Sequence, residues 1–249
     1  MYEIQYLVLL FFLSGAAGFI NVMAGGGSAL TLPILIFMGL DVPIANGTNR
    51  IAILALTMSA VYSMKREQVS DFKFSLKMAM FTLPGAIIGA IMAVNVSNAA
   101  FKSILAYVMI FIVLSILLPK KLKYKFINKF NAYPKLIYIS MIFIGFYGGF
   151  IQVGVGFILM LALESFLNLD LIKVNMHKVF IVLIYNIPAI IIFIFSDNVD
   201  YLLALILSTG MALGAWFSAK LTIKKGEKLI KVFLIIAILL ITVKLLNIF

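Results

Sequence analysis

The sequence predicts an all-α polytopic membrane protein made of two inverted-topology repeats. Each repeat holds about five hydrophobic segments, including a short broken helix. Three observations lead there. Of 249 residues, 64% are hydrophobic and only 12% charged, and mean hydropathy is strongly positive. Two apolar segments, 29–40 and 156–168, are too short to cross a bilayer comfortably and hold the same ordinal place in the two halves. Corresponding loops of the two halves carry opposite charge character, as expected when they lie on opposite faces of a membrane.

A soluble domain of this length cannot hide so much apolar surface, because its helices need polar outer faces. No alternating strand pattern recurs every ten residues, which disfavours a membrane barrel. The N-terminus carries Glu3 and no Lys or Arg, so it lacks the basic start of a signal peptide, and the first helix is expected to be retained. With no Cys, disulfides and thiolate chemistry are excluded. The net charge of +11 sits mostly between hydrophobic runs, where cations orient a membrane protein and meet anionic lipid, so nucleic acid is not an expected partner.

In order, the hydrophobic segments are expected near 4–23, 29–40, 48–64, 74–95, 99–119, 136–152, 156–168, 177–195, 200–219 and 229–248. A shift of about 129 residues lays Leu40-Asp41 on Leu169-Asp170, Asn46 on Asn175, Asp71 on Asp200 and Lys102 on Lys231. With small gaps, Gly18 falls on Gly145, and Gly85 and Gly89 on Gly210 and Gly214. Their common order points to a tandem duplication. Residues 1–119 would form the first repeat, 120–135 a basic cytoplasmic connector and 136–249 the second repeat.

The loop at Lys65-Arg66 is basic, whereas its counterpart holds Asp197 and Asp200. Residues 95–98 are uncharged, whereas their counterpart holds Lys220, Lys224, Lys225 and Lys228. Residues 119–135 contain six lysines and no acid. Opposite faces for corresponding loops require an odd number of crossings per half, with both termini outside and the connector inside.

Polar groups that interrupt such a chain need a reason to be there. Gly25, Gly26 and Gly27 free the backbone and allow close approach of a ligand, and Ser28 is a reasonable N-cap with N–H groups open to an anion. The alternative is a tight turn or close helix packing, which is the reading for Gly85/Gly89 and Gly210/Gly214. Asn46, Gly47, Thr48, Asn49 and Arg50 would open the third segment, offering caps, neutral donors and a guanidinium fork for an oxyanion. Asn175, His177 and Lys178 take the corresponding places in the second half, and Gln152 with Gly154 and Gly156 matches the glycine triplet. For Arg50 and Lys178 the plainer role is an interfacial cation reaching to phosphate, more so for Lys178. Glu164, an acid within a short segment, would either pair with Lys178 or His177 or exchange protons for coupling; His177 could also carry a proton. Asp71 and Asp200 are expected as solvated N-caps.

No catalytic constellation, metal site or nucleotide-binding loop is evident, and no cofactor is expected. The run GFINVMAGGGSALTLPILIFMGL followed by GTNR resembles the N-terminal signature of the TauE/SafE sulfite-exporter-like permeases. The second run, GFYGGFIQVGVGFILMLAL, and Pro84 to Ala90 fit the same family, and the resemblance covers nearly the whole chain. It implies a permease in the cell membrane that exports a small sulfur-containing or organic anion, such as sulfite or an organosulfonate; the paired broken helices add alternating access, one repeat rocking against the other, as the expected mechanism. Gly25, Gly26, Gly27, Asn46, Gly47, Thr48 and Asn49 are the motif residues it would carry over. The second half departs from the pattern, with Met176-His177 in place of a Gly-Thr-Ser-like pair. Expected partners are the anion, the lipid bilayer and a proton or other coupling ion. A passive anion channel, or an intramembrane enzyme or assembly factor, is the alternative.

Overall fold

The computed structural model describes residues 3–66, 71–117, 135–167 and 169–221, and among these every regular element is an α-helix. The first half contains α1 (Ile4–Ala24), α2 (Ser28–Phe37), α3 (Val42–Arg66), α4 (Phe72–Asn95) and α5 (Asn98–Leu117). The second contains α6 (Leu136–Phe150), α7 (Val155–Leu167), α8 (Leu171–Phe195) and α9 (Tyr201–Leu221). Helices α1, α4, α8 and α9 are long and apolar enough to cross a membrane. The expected segment 229–248 and most of the basic connector lie outside the described residues.

Local chemistry sets the ends of these helices. Asp71 accepts from Phe74 N at 3.4 Å to cap α4, and Asp170 accepts from Ile172 N and Lys173 N at 3.1 and 2.9 Å to cap α8. Asp200 accepts from Leu203 N at 2.9 Å where α9 begins, so both aspartates expected as caps hold that place. Gly25 closes α1 with φ +79°, the left-handed geometry of a glycine C-cap, while its N–H bonds Asn21 O at 2.7 Å.

Two expected boundaries are corrected. Helix α3 begins at Val42 and α8 at Leu171, about one and a half turns before the apolar stretches predicted at 48 and 177. The intervening polar residues look like loop in a hydropathy profile. In the fold they are helical, and Asn46 and Asn175 are buried; Asn46 is tied to another helix through Phe150 O.

Helix directions follow from the contacts. Gly15 and Gly18 of α1 meet Gly210, Met211 and Gly214 of α9, and Ser218 Oγ donates to Phe19 O at 2.8 Å. The numbers rise together, so α1 and α9 run the same way. Helix α3 joins them, with Ser59 Oγ donating to Ala212 O and Ser63 Oγ to Trp216 O. Gly85 and Gly89 of α4 lie on Ile142 and Phe146 of α6, so these two run alike; α3 meets α6 at Asn46–Phe150 and Arg50–Gly148 and α8 at Gly47–Phe193 and Arg50–Asn186, with numbers that fall as those of α3 rise, so α4, α6 and α8 share the other direction. Because α1 and α3 run alike, α2 must carry the chain back between them, and α7 does so between α6 and α8.

At about 1.5 Å per residue, the ten residues of α2 and thirteen of α7 span roughly 15 and 20 Å, well short of a hydrocarbon core of about 30 Å. Outward-facing positions such as Phe12, Phe143, Tyr107 and Leu205 are more than half exposed and apolar, whereas Arg50, Lys178, Asn46 and Asn175 are buried. This inside-out arrangement suits a lipid surround.

Candidate functional site

The two breaks in the hydrophobic pattern meet. A Cβ built on Gly25, between α1 and α2, would come closer than 3.0 Å to the backbone of Gly156, at the start of α7, and the reverse holds as well. Only two glycines can pass this near, which accounts for Gly25 in the triplet and for Gly156 in the second break. Gln152 has φ +60° in the second break, an uncommon geometry for a residue with a side chain.

A narrow cavity opens at this junction, lined on its polar side by Asn21, Gly25, Ser28, Thr57, Gln152, Gly156 and Lys178, and on its apolar side by Ile53, Leu56, Val155, Val179 and Val182. Lys178 is 2% exposed. Its Nζ donates to Val22 O at 2.7 Å, to Asn21 O at 3.2 Å and, weakly, to Met160 Sδ at 3.8 Å. All three protons of the ammonium are therefore directed at neutral acceptors, two of them carbonyls at the C-terminal end of α1, where the helix dipole favours a cation. The pairing of Lys178 with Glu164 expected as one option is not among these contacts; Glu164 is half-buried on α7.

Arg50 makes the matching contact from α3. It is fully buried, with Nη1 donating to Gly148 O at 3.1 Å and Nη2 to Gly149 O, at the C-terminal end of α6. Its guanidinium carbon sits 4.7 Å from the centre of the Phe193 ring. Arg50 lies outside the cavity lining, so neither cation reaches to lipid phosphate as the plainer sequence reading had it.

Asn46 Nδ2 donates to Phe150 O at 2.9 Å, tying α3 to the same helix end. Thr31 Oγ1 donates to Asn49 Oδ1 at 2.7 Å, Thr48 Oγ1 accepts from Asp200 N at 2.9 Å, and Gly47 packs on Asn198 and Phe193. These motif residues hold elements together and do not line the cavity. Being inside α3, they cap nothing. Ser28 is the first residue of α2, with Gly27 at the cap, and its Oγ accepts a long 3.5 Å bond from Asn21 Nδ2. Gly26 and Gly27 lie against Phe157 and against Ala17 and Asn21, where side chains would collide.

His177 faces α4, its Nδ1 2.8 Å from Ser75 Oγ and its ring edge-on to Phe74. Both amide atoms of Asn175 are buried without a partner, as are Asn46 Oδ1, Asn49 Nδ2, Arg50 Nε and Gln152 Oε1. Sequence reading missed Asn21 and Asn186. Asn186 Nδ2 donates to Arg50 O at 2.9 Å and its Oδ1 accepts from Gln152 Nε2 at 3.2 Å, which links the cavity to the Arg50 side. A lone Asn within an apolar helix was the available signal, and each residue shows it.

The small cavity lies between two broken helices with a buried cation on its lining, the place where transporters built of repeats hold their sites. Residues 10–245 match the family described as sulfite exporter TauE/SafE. The chain belongs to that family. It is 30% identical over 241 residues to the "Probable membrane transporter protein ORF9" of a Sinorhizobium species, covering 96% of this chain and 92% of that one. It is 31% identical to "Probable membrane transporter protein YfcA" of Escherichia coli K12, over 96% and 89% of the two chains, and 27% identical to a "Probable membrane transporter protein" of Haemophilus influenzae, over 97% and 94%. No solved structure matches. Membership of a membrane transporter family agrees with the all-helical fold and its apolar spans.

Proposed function

We propose that the protein is a cell-membrane permease for a small anion, a sulfur oxyanion, organosulfonate or related organic anion, and that it exports this anion by alternating access. One observation carries the reading: Lys178, buried and, among the described residues, in no ion pair, lines the cavity where the two glycine breaks touch. A buried ammonium whose partners are all neutral leaves a net positive charge that an entering anion would neutralise. Asn21, Ser28 and Gln152 would supply neutral hydrogen bonds.

Inverted repeats supply the means of alternation. Three corresponding pairs, α1 with α6, α3 with α8 and α4 with α9, run in opposite directions, and the α1–α9 contact is matched by the α6–α4 contact. Rocking one repeat against the other about the Gly25–Gly156 contact would expose the cavity to either side in turn. For orientation, Lys65, Arg66, Lys73, Lys77, Lys135, Lys173 and Lys220 lie at one end of the bundle with Asp71 and Asp170, and Glu3, Asp41, Asp197 and Asp200 at the other with Lys102. The positive-inside trend then puts the connector in the cytoplasm and the N-terminus outside, and the second repeat's fifth segment would bring the C-terminus outside too.

The test is uptake of labelled sulfite, ethanesulfonate and acetate into proteoliposomes by wild type and Lys178→Met. Wild type is expected to accumulate at least one sulfur anion with trans-stimulation, and Lys178→Met to fall to background. Wild-type rate and affinity in Lys178→Met would remove the cavity as the site.

A further inference from the structure

We infer that Lys178 is also the proton-binding site of transport, so that each anion crosses together with one proton. This rests on the anion-permease reading above and adds the coupling ion. The argument begins with the charges around Nζ. From α1 it meets two carbonyls, Asn21 O and Val22 O, and from α7 the thioether of Met160. The residues of α3 that share its cavity, Ile53, Leu56 and Thr57, are neutral, as is Gln152. Arg50 is turned onto Gly148 and Gly149. On its own helix, His177 is held by Ser75, and Lys173 pairs with Asp170 at 3.6 Å. Glu164 stands one turn beyond Met160 on α7, and the contacts of Nζ go to Asn21, Val22 and Met160.

An ammonium buried among neutral groups is stable only while something compensates its charge. In the loaded carrier the anion does so. When the anion leaves, the lysine releases its proton to the same side: the N–H bond breaks, the electron pair stays on nitrogen, and the neutral amine remains bonded to the carbonyls. The empty carrier can then reorient without carrying a bare charge through the membrane. At the other face a proton and an anion bind together. For a monoanion the cycle moves no net charge, so export follows the anion's own outward concentration gradient and draws nothing from the membrane potential.

Arg50 supplies the contrast. It contacts carbonyls at the end of α6 as Lys178 does at the end of α1, but a guanidinium does not release its proton. The two halves therefore offer one permanent cation and one titratable one, and the cavity lies on the titratable side.

The experiment uses wild-type protein in liposomes with ethanesulfonate, which stays ionised and does not leak as a neutral acid, and with sulfite. An acid-outside gradient is expected to drive uptake without any ionophore, to about ten-fold accumulation per pH unit for one proton per monoanion. An inside-positive potaassium–valinomycin potential at equal pH is expected to drive none. Uptake driven by the potential but not by the pH gradient overturns the coupling and leaves the anion reading standing. No flux of either anion under any gradient overturns both.

Variants locate the proton. Lys178→Arg, a permanent cation, is expected to lose net uptake while anion exchange persists at a reduced rate, because only the empty carrier's return is blocked. Glu164→Gln and His177→Asn are expected to keep the response to the pH gradient. If either of them abolishes that response while wild-type exchange remains, or if Lys178→Arg retains it, the proton does not reside on Lys178.

Discussion

Arg50 and Lys178 hold corresponding places on α3 and α8, and each donates to the carbonyls that end the first helix of the opposite half. Arg50 reaches Gly148 and Gly149 on α6; Lys178 reaches Asn21 and Val22 on α1. The two halves are thus tied to each other by a reciprocal pair of cation–carbonyl contacts. The consequence for Arg50 is structural first. Arg50→Ala leaves two helix-end carbonyls without these donors and removes the packing on Phe193, a loss of about 2–4 kcal/mol. Thermal unfolding in detergent should shift down by several degrees, with Arg50→Lys falling between wild type and Ala. An unchanged midpoint in Arg50→Ala would show that the tie adds nothing to stability.

The contact of Gly25 with Gly156 leaves no room for a methyl group on either. Gly156→Ala needs the two breaks to separate, and Gly25→Ala adds strain from φ +79°. Both should lower flux at least ten-fold, and Gly25→Ala should be the less stable of the two. Gly39, also at positive φ but with open space around its Cβ position, serves as the comparison: Gly39→Ala should lose stability from backbone strain alone and keep its flux.

Asn46 and Asn175 correspond by sequence but differ in bonding. Asn46 donates to Phe150 O, whereas neither amide atom of Asn175 has a partner. Removing a made bond costs about 1 kcal/mol or more, whereas removing an unpaired buried amide relieves a desolvation penalty of similar size. Asn46→Leu should therefore lower the unfolding midpoint and Asn175→Leu should hold or raise it. A fall of equal size in both would mean that the Asn175 amide makes bonds in the membrane that the described contacts lack.

Topology can be mapped with single cysteines, since the natural chain has none. Ser97 and Asn198 follow the C-terminal ends of α4 and α8, which run the same way. Cysteines there should label from outside, and cysteines at Tyr124 and Lys225 from inside. Labelling of all four from one side would contradict the inverted arrangement.

Much of the helix order was legible because lipid requires long apolar runs, and these are visible one residue at a time. The two short segments and the glycine breaks were legible for the same reason: each departs from that requirement. The starts of α3 and α8 were not. Asn46 reads as preceding the helix and Thr48, Asn49 and Arg50 as its opening turn until their bonds to Phe150, Asp200, Thr31 and Gly148 are seen, and those partners lie as far as 152 residues away in sequence. The motif resemblance drew attention to the first half's polar cluster as ligand-binding, whereas in the fold that cluster mostly joins helices.

Composition and periodicity alone determined that this chain is a helical membrane protein, because the cost of exposing polar backbone to lipid acts on every residue locally. Which cation faces the cavity was decided only by tertiary structure. Arg50 and Lys178 are near equivalents in sequence, and what separates them is how helices from the opposite half pack around each: Gly148, Gly149 and Phe193 enclose Arg50, while the meeting of Gly25 with Gly156 leaves a gap beside Lys178.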